Sequence, residues 1–476
     1  MSALLLQNVA CLVTLDRERR VIEDGALLTQ DGAISAVGRT AEVAAGADQV
    51  PRVLDGRHLL VMPGLINTHH HLMQTLTRNL PAAQDQELFG WLQTLYAVWR
   101  EVTPEAAYVS ALVGFCELLL SGCTTTADHQ YFHPRGTPSL VDEQVRAARE
   151  IGIRFHATRG SMSVGRSRGG LPPDDCVEDE DAILADCERV IRAHHDPAPG
   201  AMVRVALAPC SPFSVSPELM SETRRLAARH QVRVHTHLAE TIDEERYCQE
   251  RWGKRPLDFM EDLGWVDRDV WFAHAIHLGP GEIERLAKAG AAVSHCPTSN
   301  LRLASGYAPI RRMLAAGVTV SIGVDGSASN DSSHMFAELR QALLSARGRD
   351  GVAALSARQV LELGTLGGAR ALGRPDLGSL EPGKAADFIG IRLDQVGFAG
   401  ALHDPVAALV FCGVPRVELS VVAGRIVVEG GALAGTVGAE LPERQNAIAR
   451  EMVRRAEARS GARFLETRWT RLYTAI

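Results

Sequence analysis

The sequence predicts an α/β fold, namely a TIM-type (β/α)8 barrel with a small β-sandwich domain that the N- and C-terminal segments form together. β-like and helical segments alternate over residues 61–374, which predicts a parallel sheet with helices outside it. Short β-like runs occupy the flanks, residues 1–60 and 375–440. Because chain termini often lie close in space, we expect the two flanks to form one composite domain. Residues 441–476, rich in Glu, Arg and Ala over Arg444–Arg459, are predicted to be a helical tail.

The flanking segments have the pattern of short strands joined by turns. An Asp31-Gly32 pair between two of the runs is typical of a hairpin turn. The β-like runs are Leu4–Leu12, Ala26–Leu28, Ile34–Val37, Ala386–Ile391, Val417–Val422 and Ile426–Val428.

The central segment supplies the predicted barrel. Helices are expected over Pro104–Ser121, which a glycine follows, and over Pro217–Arg229 and Gly281–Ala289. The predicted strands are Leu59–Asn67, Cys123–Ala127, Val203–Leu207, Val232–His237, Val270–Ala273, Ala291–Ser294 and Val318–Val324.

Composition excludes several classes of protein. The 476 residues are 46% hydrophobic and 22% charged, which is typical of a globular protein, and a net charge of −7 argues against a nucleic-acid partner. No apolar run approaches the roughly 18 residues of a membrane helix, and no basic segment precedes a signal-like run, so we expect a cytoplasmic protein without a membrane partner. The nine cysteines include no C-x-x-C pair, which disfavours a disulfide framework and a cysteine-rich zinc site.

Polar side chains follow the ends of several predicted strands. His69 and His71 are two residues apart, and on a strand this spacing places both side chains on one face. The C-terminal ends of barrel strands converge on the active site, and a His/Asp set there suits a divalent metal such as zinc. The other residues in this position are His237, His274, His295 and Asp325.

Glu240 lies three residues after His237, just past a strand end. There a carboxylate could move protons to and from a metal-bound water. The alternative interpretation is a charge that the dipole of a following helix favours.

Two motifs and two histidines are interpreted as outside the catalytic machinery, and two further histidines are left open. Gly165–Gly169 matches the nucleophile pattern G-x-S-x-G, but a proline pair follows it, so we interpret it as a mobile loop, with an active-site flap as the alternative. Gly378–Lys384 lacks the Ser or Thr of a phosphate-binding loop and is interpreted as a turn. His194 and His195 are expected to be solvated in a polar turn. Whether His129 and His133, which flank Tyr131, line the pocket stays open.

Several motifs resemble the amidohydrolase superfamily, and within it the branch that deaminates nucleobases and triazines. These motifs are Pro63–His71, His237–Thr241, His295–Pro297 with Ser299 and Asn300, and Gly323–Asp325. The resemblance covers almost the whole chain. The stretches most similar to members that act on 8-oxoguanine are His69–Arg78, Leu118–His129, Thr158–Ser163, Ala208–Ser214 and Gly323–Asn330.

The resemblance implies one divalent metal ion, Zn²⁺ or alternatively Fe²⁺. Glu240 would shuttle protons, Asp325 would also accept a proton from the attacking water, and His274 would polarise that water or steady the substrate oxygen. The implied metal ligands are His69, His71, His237 and Asp325.

The resemblance also implies residues that contact the substrate. Gln74 occupies the position that hydrogen-bonds the heterocycle, while Trp91 and the Cys210–Phe213 loop would line the pocket. Binuclear relatives carry a carbamylated lysine on the fourth barrel strand. Val203–Leu207 and its flanks contain no lysine, so a mononuclear site is expected. The other zinc-deaminase class needs a P-C-x-x-C motif that this chain lacks.

The expected activity is hydrolytic deamination of an oxidised purine, 8-oxoguanine, to urate and ammonia. Sister activities stay open: deamination of guanine or of a pterin such as isoxanthopterin, or removal of an alkylamine from a hydroxytriazine. Cleavage of an amide ring is disfavoured by the missing lysine. A non-catalytic metal-binding homologue is disfavoured by Glu240 and Asp325, which mere binding does not require. The expected partner is a small heterocyclic substrate, and the expected assembly is a homo-oligomer.

Overall fold

A closed barrel of eight parallel strands forms the centre of the computed structural model, which describes residues 3–45, 50–134, 136–137, 140–435 and 438–466. Each strand pairs with the next along the chain, and Ile322 on the last strand pairs with Asn67 on the first to close the ring. The predicted barrel is therefore confirmed. Its strands are β1 (Leu65–Asn67), β2 (Cys123–Ala127), β3 (Arg154–Ser161), β4 (Val203–Pro209), β5 (Val234–Leu238), β6 (Val270–His274), β7 (Ala292–His295) and β8 (Thr319–Ile322).

Local sequence signals account for the helix boundaries. The helix Pro104–Leu120 starts with proline, and the Thr103 hydroxyl accepts a hydrogen bond from the backbone N–H of Ala106. Ser216 caps the helix Pro217–His230 in the same way. The remaining α-helices are Thr40–Ala44, Leu88–Trp99, Leu140–Ile151, Glu180–His194, Ile242–Trp252, Pro256–Asp262, Pro280–Ala289, Pro297–Arg302, Ile310–Ala316, Met335–Asp350, Ala357–Glu362, Gly368–Ala371, Pro405–Phe411 and Leu441–Ser460.

Two further sheets combine strands from both ends of the chain. Leu59–Pro63 pairs with Cys11–Val13 on one side and with Phe388–Arg392 on the other, so it joins the terminal segments. The strands of the four-stranded sheet are, in spatial order, Ala33–Arg39, Gly25–Gln30, Ala3–Val9 and Arg52–Asp55. Those of the seven-stranded sheet are, in spatial order, Ala432–Leu433, Arg425–Glu429, Leu419–Val422, Phe388–Arg392, Leu59–Pro63, Cys11–Val13 and Val21–Ile22.

The two sheets share a hydrophobic core, to which Leu6 and Leu27 contribute from one sheet and Phe388 and Val421 from the other. This arrangement confirms the β-sandwich built from both termini. The domain boundaries inferred from the sequence, 1–60 with 375–440, 61–374 and 441–476, stay a proposal. No helix within the described ranges is long and apolar enough to cross a membrane.

The run Leu59–Asn67, predicted as one strand, is divided at Gly64. Leu59–Pro63 belongs to the seven-stranded sheet, whereas Leu65–Asn67 is a barrel strand. A Cβ atom at Gly64 would lie 2.0 Å from the hydroxyl oxygen of Thr124. Only glycine therefore allows the backbone to pass from one sheet into the other at this point.

One of two loop predictions requires correction. The segment Gly165–Gly169, interpreted as a mobile loop, contains a 3-10 turn over Arg166–Arg168, and the Asp174 carboxylate accepts hydrogen bonds from both the N–H and the hydroxyl of Ser167; its mobility stays a prediction. The prediction that His194 and His195 are solvated is wrong. His194 Nε2 lies 2.6 Å from a carboxylate oxygen of Asp142, and His195 accepts a hydrogen bond from a backbone N–H of β4.

Candidate functional site

The residues predicted as metal ligands come together at the C-terminal end of the barrel. Two of them follow β1, one lies on β5 and one follows β8. The short strand His70–His71 pairs with Asp325–Gly326, which fixes these two chain segments side by side. All four side chains are buried: His69, His71, His237 and Asp325.

The distances within this cluster suit a single ion. Asp325 Oδ1 lies 3.2 Å from His69 Nε2 and 3.2 Å from His71 Nε2, and His71 Nε2 lies 3.2 Å from His237 Nε2. Ligands placed at about 2.0 Å from a tetrahedral ion are themselves about 3.3 Å apart. The donor set is thus spaced for one tetrahedral metal such as zinc.

Hydrogen bonds to backbone carbonyls orient two of the imidazoles. His71 Nδ1 lies 2.9 Å from the carbonyl oxygen of His129, and His237 Nδ1 lies 2.6 Å from that of Cys210. A carbonyl can only accept a hydrogen bond, so each Nδ1 carries the proton. Each Nε2 therefore directs a lone pair at the centre of the cluster, as a metal ligand must.

His69 is oriented through a second histidine. His235 Nδ1 lies 2.6 Å from the carbonyl of Trp271 and must donate to it, so His235 Nε2 accepts from His69 Nδ1 at 2.7 Å. His69 Nε2 is then unprotonated, and it makes no hydrogen bond within the described chain. A buried lone pair without a donor is the position that a cation would occupy.

The charge states of the cluster agree with this chemistry. Burial lowers the pKa of His69 and His237 well below the usual range, which keeps these imidazoles neutral. Burial also raises the pKa of Asp325, but the His69 and His71 imidazoles beside its carboxylate outweigh this effect and hold that pKa well below its usual value. His69 and His237 therefore present neutral nitrogen donors, and Asp325 presents a carboxylate.

Glu240 and His274 lie beside this cluster as a second pair of polar groups. His274 Nε2 lies 3.6 Å from Glu240 Oε2 and 3.9 Å from Asp325 Oδ2, while its Nδ1 lies 2.8 Å from the Asn300 side-chain oxygen. Burial and the nearby Asp325 charge raise the pKa of Glu240 well above its usual value. A carboxyl group tuned in this way can both donate and accept a proton.

Unusual backbone conformations place these side chains. Ala239, His274 and Asp325 have φ angles of 49°, 69° and 61°, in the left-handed region that non-glycine residues seldom adopt. The buried Glu244 carboxylate accepts hydrogen bonds from the backbone N–H groups of Ala239 at 2.8 Å and of Glu240 at 2.9 Å. Such bonds offset the conformational strain and fix the segment that carries Glu240.

A mainly apolar cleft opens over the cluster. The predicted substrate contacts Gln74, Trp91 and Cys210 all line it, as does Phe213. The Gln74 side-chain oxygen is buried without a hydrogen-bond partner in the described chain. It lies so close to Gly326 that a side chain at that position would clash with it. Further lining residues, not predicted from the sequence, are Leu88, Leu92, Tyr131, Leu303 and Ser329.

The sequence contains partial indications of the lining residues that were not predicted. Leu88 shares a helix face with Trp91 and Leu92, which lie three and four residues after it on the helix Leu88–Trp99. Of the histidines left open, His129 packs against the ring of His237 at 4.6 Å between centroids, whereas His133 bonds to a backbone carbonyl and does not line the cleft. His295 also ends its strand without lining the cleft.

Comparison with known proteins identifies the family. The model of the amidohydrolase family matches residues 60–427. The chain belongs to the amidohydrolase family. It is 46% identical over 434 residues to 8-oxoguanine deaminase of Pseudomonas aeruginosa, covering 90% of this chain and 95% of the relative.

Other relatives extend the comparison to triazines. Hydroxydechloroatrazine ethylaminohydrolase of Pseudomonas sp. strain ADP is 40% identical over 458 residues, covering 93% of this chain and 94% of that enzyme. The crystal structure of a mutant atrazine chlorohydrolase from Arthrobacter aurescens, complexed with zinc and atraton, has a TM-score of 0.89 at 37% identity, covering 94% of this amidohydrolase and 100% of that chain. The protein is therefore a hydrolase of the amidohydrolase type, related to deaminases that cleave C–N bonds.

Proposed function

We propose that this amidohydrolase is a mononuclear, zinc-dependent deaminase of an oxidised purine, which converts 8-oxoguanine and water into urate and ammonia. The observation that carries the proposal is the placement of Glu240 and His274, with Nε2 of His274 3.6 Å from Glu240 Oε2, directly beside the His/Asp cluster at the base of the cleft. The 46% identity to an 8-oxoguanine deaminase supports the choice of substrate.

The donor set fits one metal ion better than two. Strand β4 contains no lysine, and the three lysines of the chain, Lys254, Lys288 and Lys384, lie elsewhere in the sequence. His69, His71, His237 and Asp325 would hold the ion, with Fe²⁺ as the alternative to Zn²⁺. When bound, such an ion lowers the pKa of a water molecule towards neutrality and so makes a nucleophile available.

The protein groups then perform the proton transfers. Asp325 accepts a proton from the attacking water, whose oxygen bonds to the ring carbon that carries the exocyclic amine. His274 hydrogen-bonds the attacking oxygen, and Glu240 donates a proton to the neighbouring ring nitrogen. The proton held by Asp325 then passes to the amine, directly or through Glu240, and the C–N bond breaks, so ammonia leaves. The hydroxyl proton of the intermediate returns to Glu240 as the carbonyl forms. Because the pKa of Glu240 is raised by burial and by the Asp325 charge, Glu240 is suited to the acid role.

The cleft favours a flat heterocycle with a few polar edges. Leu88, Trp91 and Phe213 provide apolar walls, and the unpartnered oxygen of Gln74 can accept a hydrogen bond from a ring N–H. A buried polar group that only one substrate satisfies discriminates strongly between analogues. Such discrimination is what a purine deaminase needs against guanine and the pterins.

Removal of an alkylamine from a hydroxytriazine is the second candidate function, because one relative with that activity is 40% identical. The deciding experiment compares amine release from 8-oxoguanine, guanine, isoxanthopterin and a hydroxylated N-ethyl triazine, at equal concentrations of the zinc-loaded enzyme. We expect the highest kcat/KM for 8-oxoguanine, with urate as the product by ultraviolet absorbance. A higher kcat/KM for any of the other three compounds would contradict the proposed substrate and identify that compound instead. The cytoplasmic location and the homo-oligomeric state stay predictions.

A further inference from the structure

A second cavity, of about 580 Å³, lies at the opposite end of the barrel from the catalytic cleft. Arg204 is the second residue of β4 and Arg233 directly precedes β5, so both lie at the N-terminal ends of their strands. The cleft residues Cys210 and Glu240 lie past the C-terminal ends of the same two strands. The volume falls within the range of small-molecule sites.

Cationic and imidazole groups surround this cavity without partners for several of their nitrogen atoms. His156 is 3% exposed, and its Nδ1 has no hydrogen-bond partner in the described ranges of the chain. The Nε atoms of Arg204 and Arg233 are likewise buried and unpartnered there. His195 and Arg268 line the cavity beside them.

The bonds that the two arginines do make are to carbonyl groups. Arg204 donates to the carbonyl of Gly373 at 3.2 Å and to that of Pro197 at 2.9 Å, and Arg233 donates to the carbonyl of Arg268 at 3.0 Å. Arg204 also donates to Ala198 at 3.2 Å. Neither guanidinium forms an ion pair with a carboxylate among the described residues. Neither positive charge is therefore paired with a carboxylate in direct contact within the described ranges.

Two carboxylates at the rim contact an arginine outside the cavity lining, although Asp269 Oδ1 has no hydrogen-bond partner among the described residues. Asp267 and Asp269 lie at the rim, and Arg224 lies 3.3 Å from the first and 2.8 Å from the second. Burial lowers the pKa of Arg233 to about 10, with only Asp269 opposing it. Burial, and then the charge of Arg374, lowers the pKa of Arg204, while the charges of Asp376 and Asp196 oppose this shift. The cavity thus contains like charges that an anion would stabilise.

We propose that this cavity binds a phosphate-bearing anion, either inorganic phosphate or a small phosphate ester. A dianion matches the two guanidinium groups of Arg204 and Arg233. Phosphate offers oxygen atoms in several directions, which suits donors that approach from β3, β4 and β5. Guanidinium groups bind phosphate through paired N–H donors, and each of these two arginines has an Nε–H group that no described protein atom accepts.

The experiment is isothermal titration calorimetry of the purified full-length protein with inorganic phosphate and, separately, with adenosine 5′-monophosphate. The titrations run at constant ionic strength at about pH 8, where phosphate is chiefly a dianion. We expect saturable binding, weakened at least tenfold in R233Q. The matched control is R229Q, which removes the same charge from an exposed position outside the cavity lining and is expected to bind like the wild type.

The two titrants separate the sources of the phosphate group. Tighter binding of the nucleotide identifies a phosphate ester as the ligand, and equal binding identifies free phosphate. R204Q is a second test, with the melting temperature as a check on folding, because this change also removes hydrogen bonds to backbone carbonyls. Absence of saturable binding in the wild type, or equal affinity in R233Q and the wild type, would overturn the proposal. Since deaminase turnover plays no part in the readout, the result is independent of the proposed function.

Discussion

His235 positions a metal ligand although it does not contact the candidate ion site itself. Its Nε2 accepts the proton of His69 Nδ1 at 2.7 Å, and its Nδ1 donates to the Trp271 carbonyl at 2.6 Å. The ring of His235 also stacks on that of Trp271, with 4.4 Å between centroids. This chain of contacts fixes both the tautomer and the orientation of His69.

Replacing His235 by phenylalanine should weaken metal binding while the barrel stays folded. The aromatic ring can still stack on Trp271, but His69 Nδ1 loses its acceptor. Loss of such a supporting bond lowers metal affinity about 10- to 100-fold. Zinc affinity is measured by competition with a chelator, and His235→Gln, which can still accept a hydrogen bond, should recover part of it. The control His403→Gln changes an exposed histidine. If His235→Phe kept the zinc affinity of the wild type, His235 would have no role in positioning His69.

Replacing Glu240 by glutamine should separate metal binding from turnover. Glu240 is buried beside the His/Asp cluster but is not one of its proposed ligands. An amide of the same shape cannot transfer the proton, so we expect unchanged zinc content and turnover lowered about 10²- to 10⁴-fold. Metal analysis and amine release from 8-oxoguanine provide the two readouts. Glu250→Gln, on an exposed part of the following helix, is the control. Full turnover in Glu240→Gln would contradict its proton-transfer role.

The sequence predicted the proposed metal ligands better than the residues that support them. His69, His71, His237 and Asp325 lie at or just after strand ends, and the convergence of barrel strands predicts their meeting. His235 lies on the same strand as His237, and its partner Trp271 comes from the next strand. Their contact depends on strand register, which spacing along the chain does not specify. The role of Glu244 was not predicted either, because its carboxylate accepts hydrogen bonds from backbone N–H groups, which leave no pattern in the sequence.

At the level of elements, the helix Met335–Asp350 connects the loops that follow β7 and β8. The buried Glu338 carboxylate on this helix accepts hydrogen bonds from the backbone N–H of Thr298 and from the Asn330 side chain, each at 2.9 Å. Asn330 also donates to the carbonyl of Val324 at 2.7 Å, next to Asp325. One acidic side chain thus fixes the approach to the metal centre from two loops.

Glu338 should make stability depend on pH. Burial raises its pKa from 4.5 to about 7, so the folded state binds this proton more tightly than the unfolded state does. The resulting stabilisation is complete below about pH 4.5 and is lost as the pH rises through about 7, amounting to about 3 kcal/mol. Glu338→Gln cannot titrate, so its unfolding free energy should fall less between pH 5.5 and pH 8 than that of the wild type. Urea denaturation measures both slopes.

The control for this prediction is Glu284→Gln, an exposed change on another helix, which should keep the wild-type slope. Identical slopes in Glu338→Gln and the wild type would show that Glu338 does not titrate in this range. Metal content must be equal in all three proteins, because histidine ligands also bind protons at low pH.

Element boundaries were predicted best where the chain carries its own signals. The helices at Pro104 and Pro217 begin with proline after a Thr or Ser cap, and both were predicted to within one residue of their ends. The division of Leu59–Asn67 was missed, because both strands are apolar and the change of sheet depends on a close contact with Thr124. That contact is made by a residue about sixty positions away and leaves no local pattern.

At the scale of the whole molecule, the candidate metal site joins opposite sides of the barrel. His237 lies on β5, whereas His69 and His71 follow β1, and these strands stand four places apart in a ring of eight. Asp325 follows β8, which lies beside β1. An ion held by all four side chains would therefore connect segments about 250 residues apart in the chain, which only the folded barrel brings together.

Removal of the metal should consequently lower the stability of the entire barrel. A ligand that binds only the folded state stabilises it by about 4 kcal/mol at a thousandfold excess over Kd, and about 1 kcal/mol moves the melting temperature of a domain by about 2–4 °C. We expect chelation to lower the melting temperature by several degrees, and zinc to restore it in the wild type and in Glu240→Gln. His237→Asn, which loses a ligand from β5, should respond less to zinc. Because β5 faces β1 across the ring, a reduced zinc response in His237→Asn is what a ligand from the opposite side of the barrel requires. A zinc response equal to that of the wild type would mean that the ion does not connect the two sides.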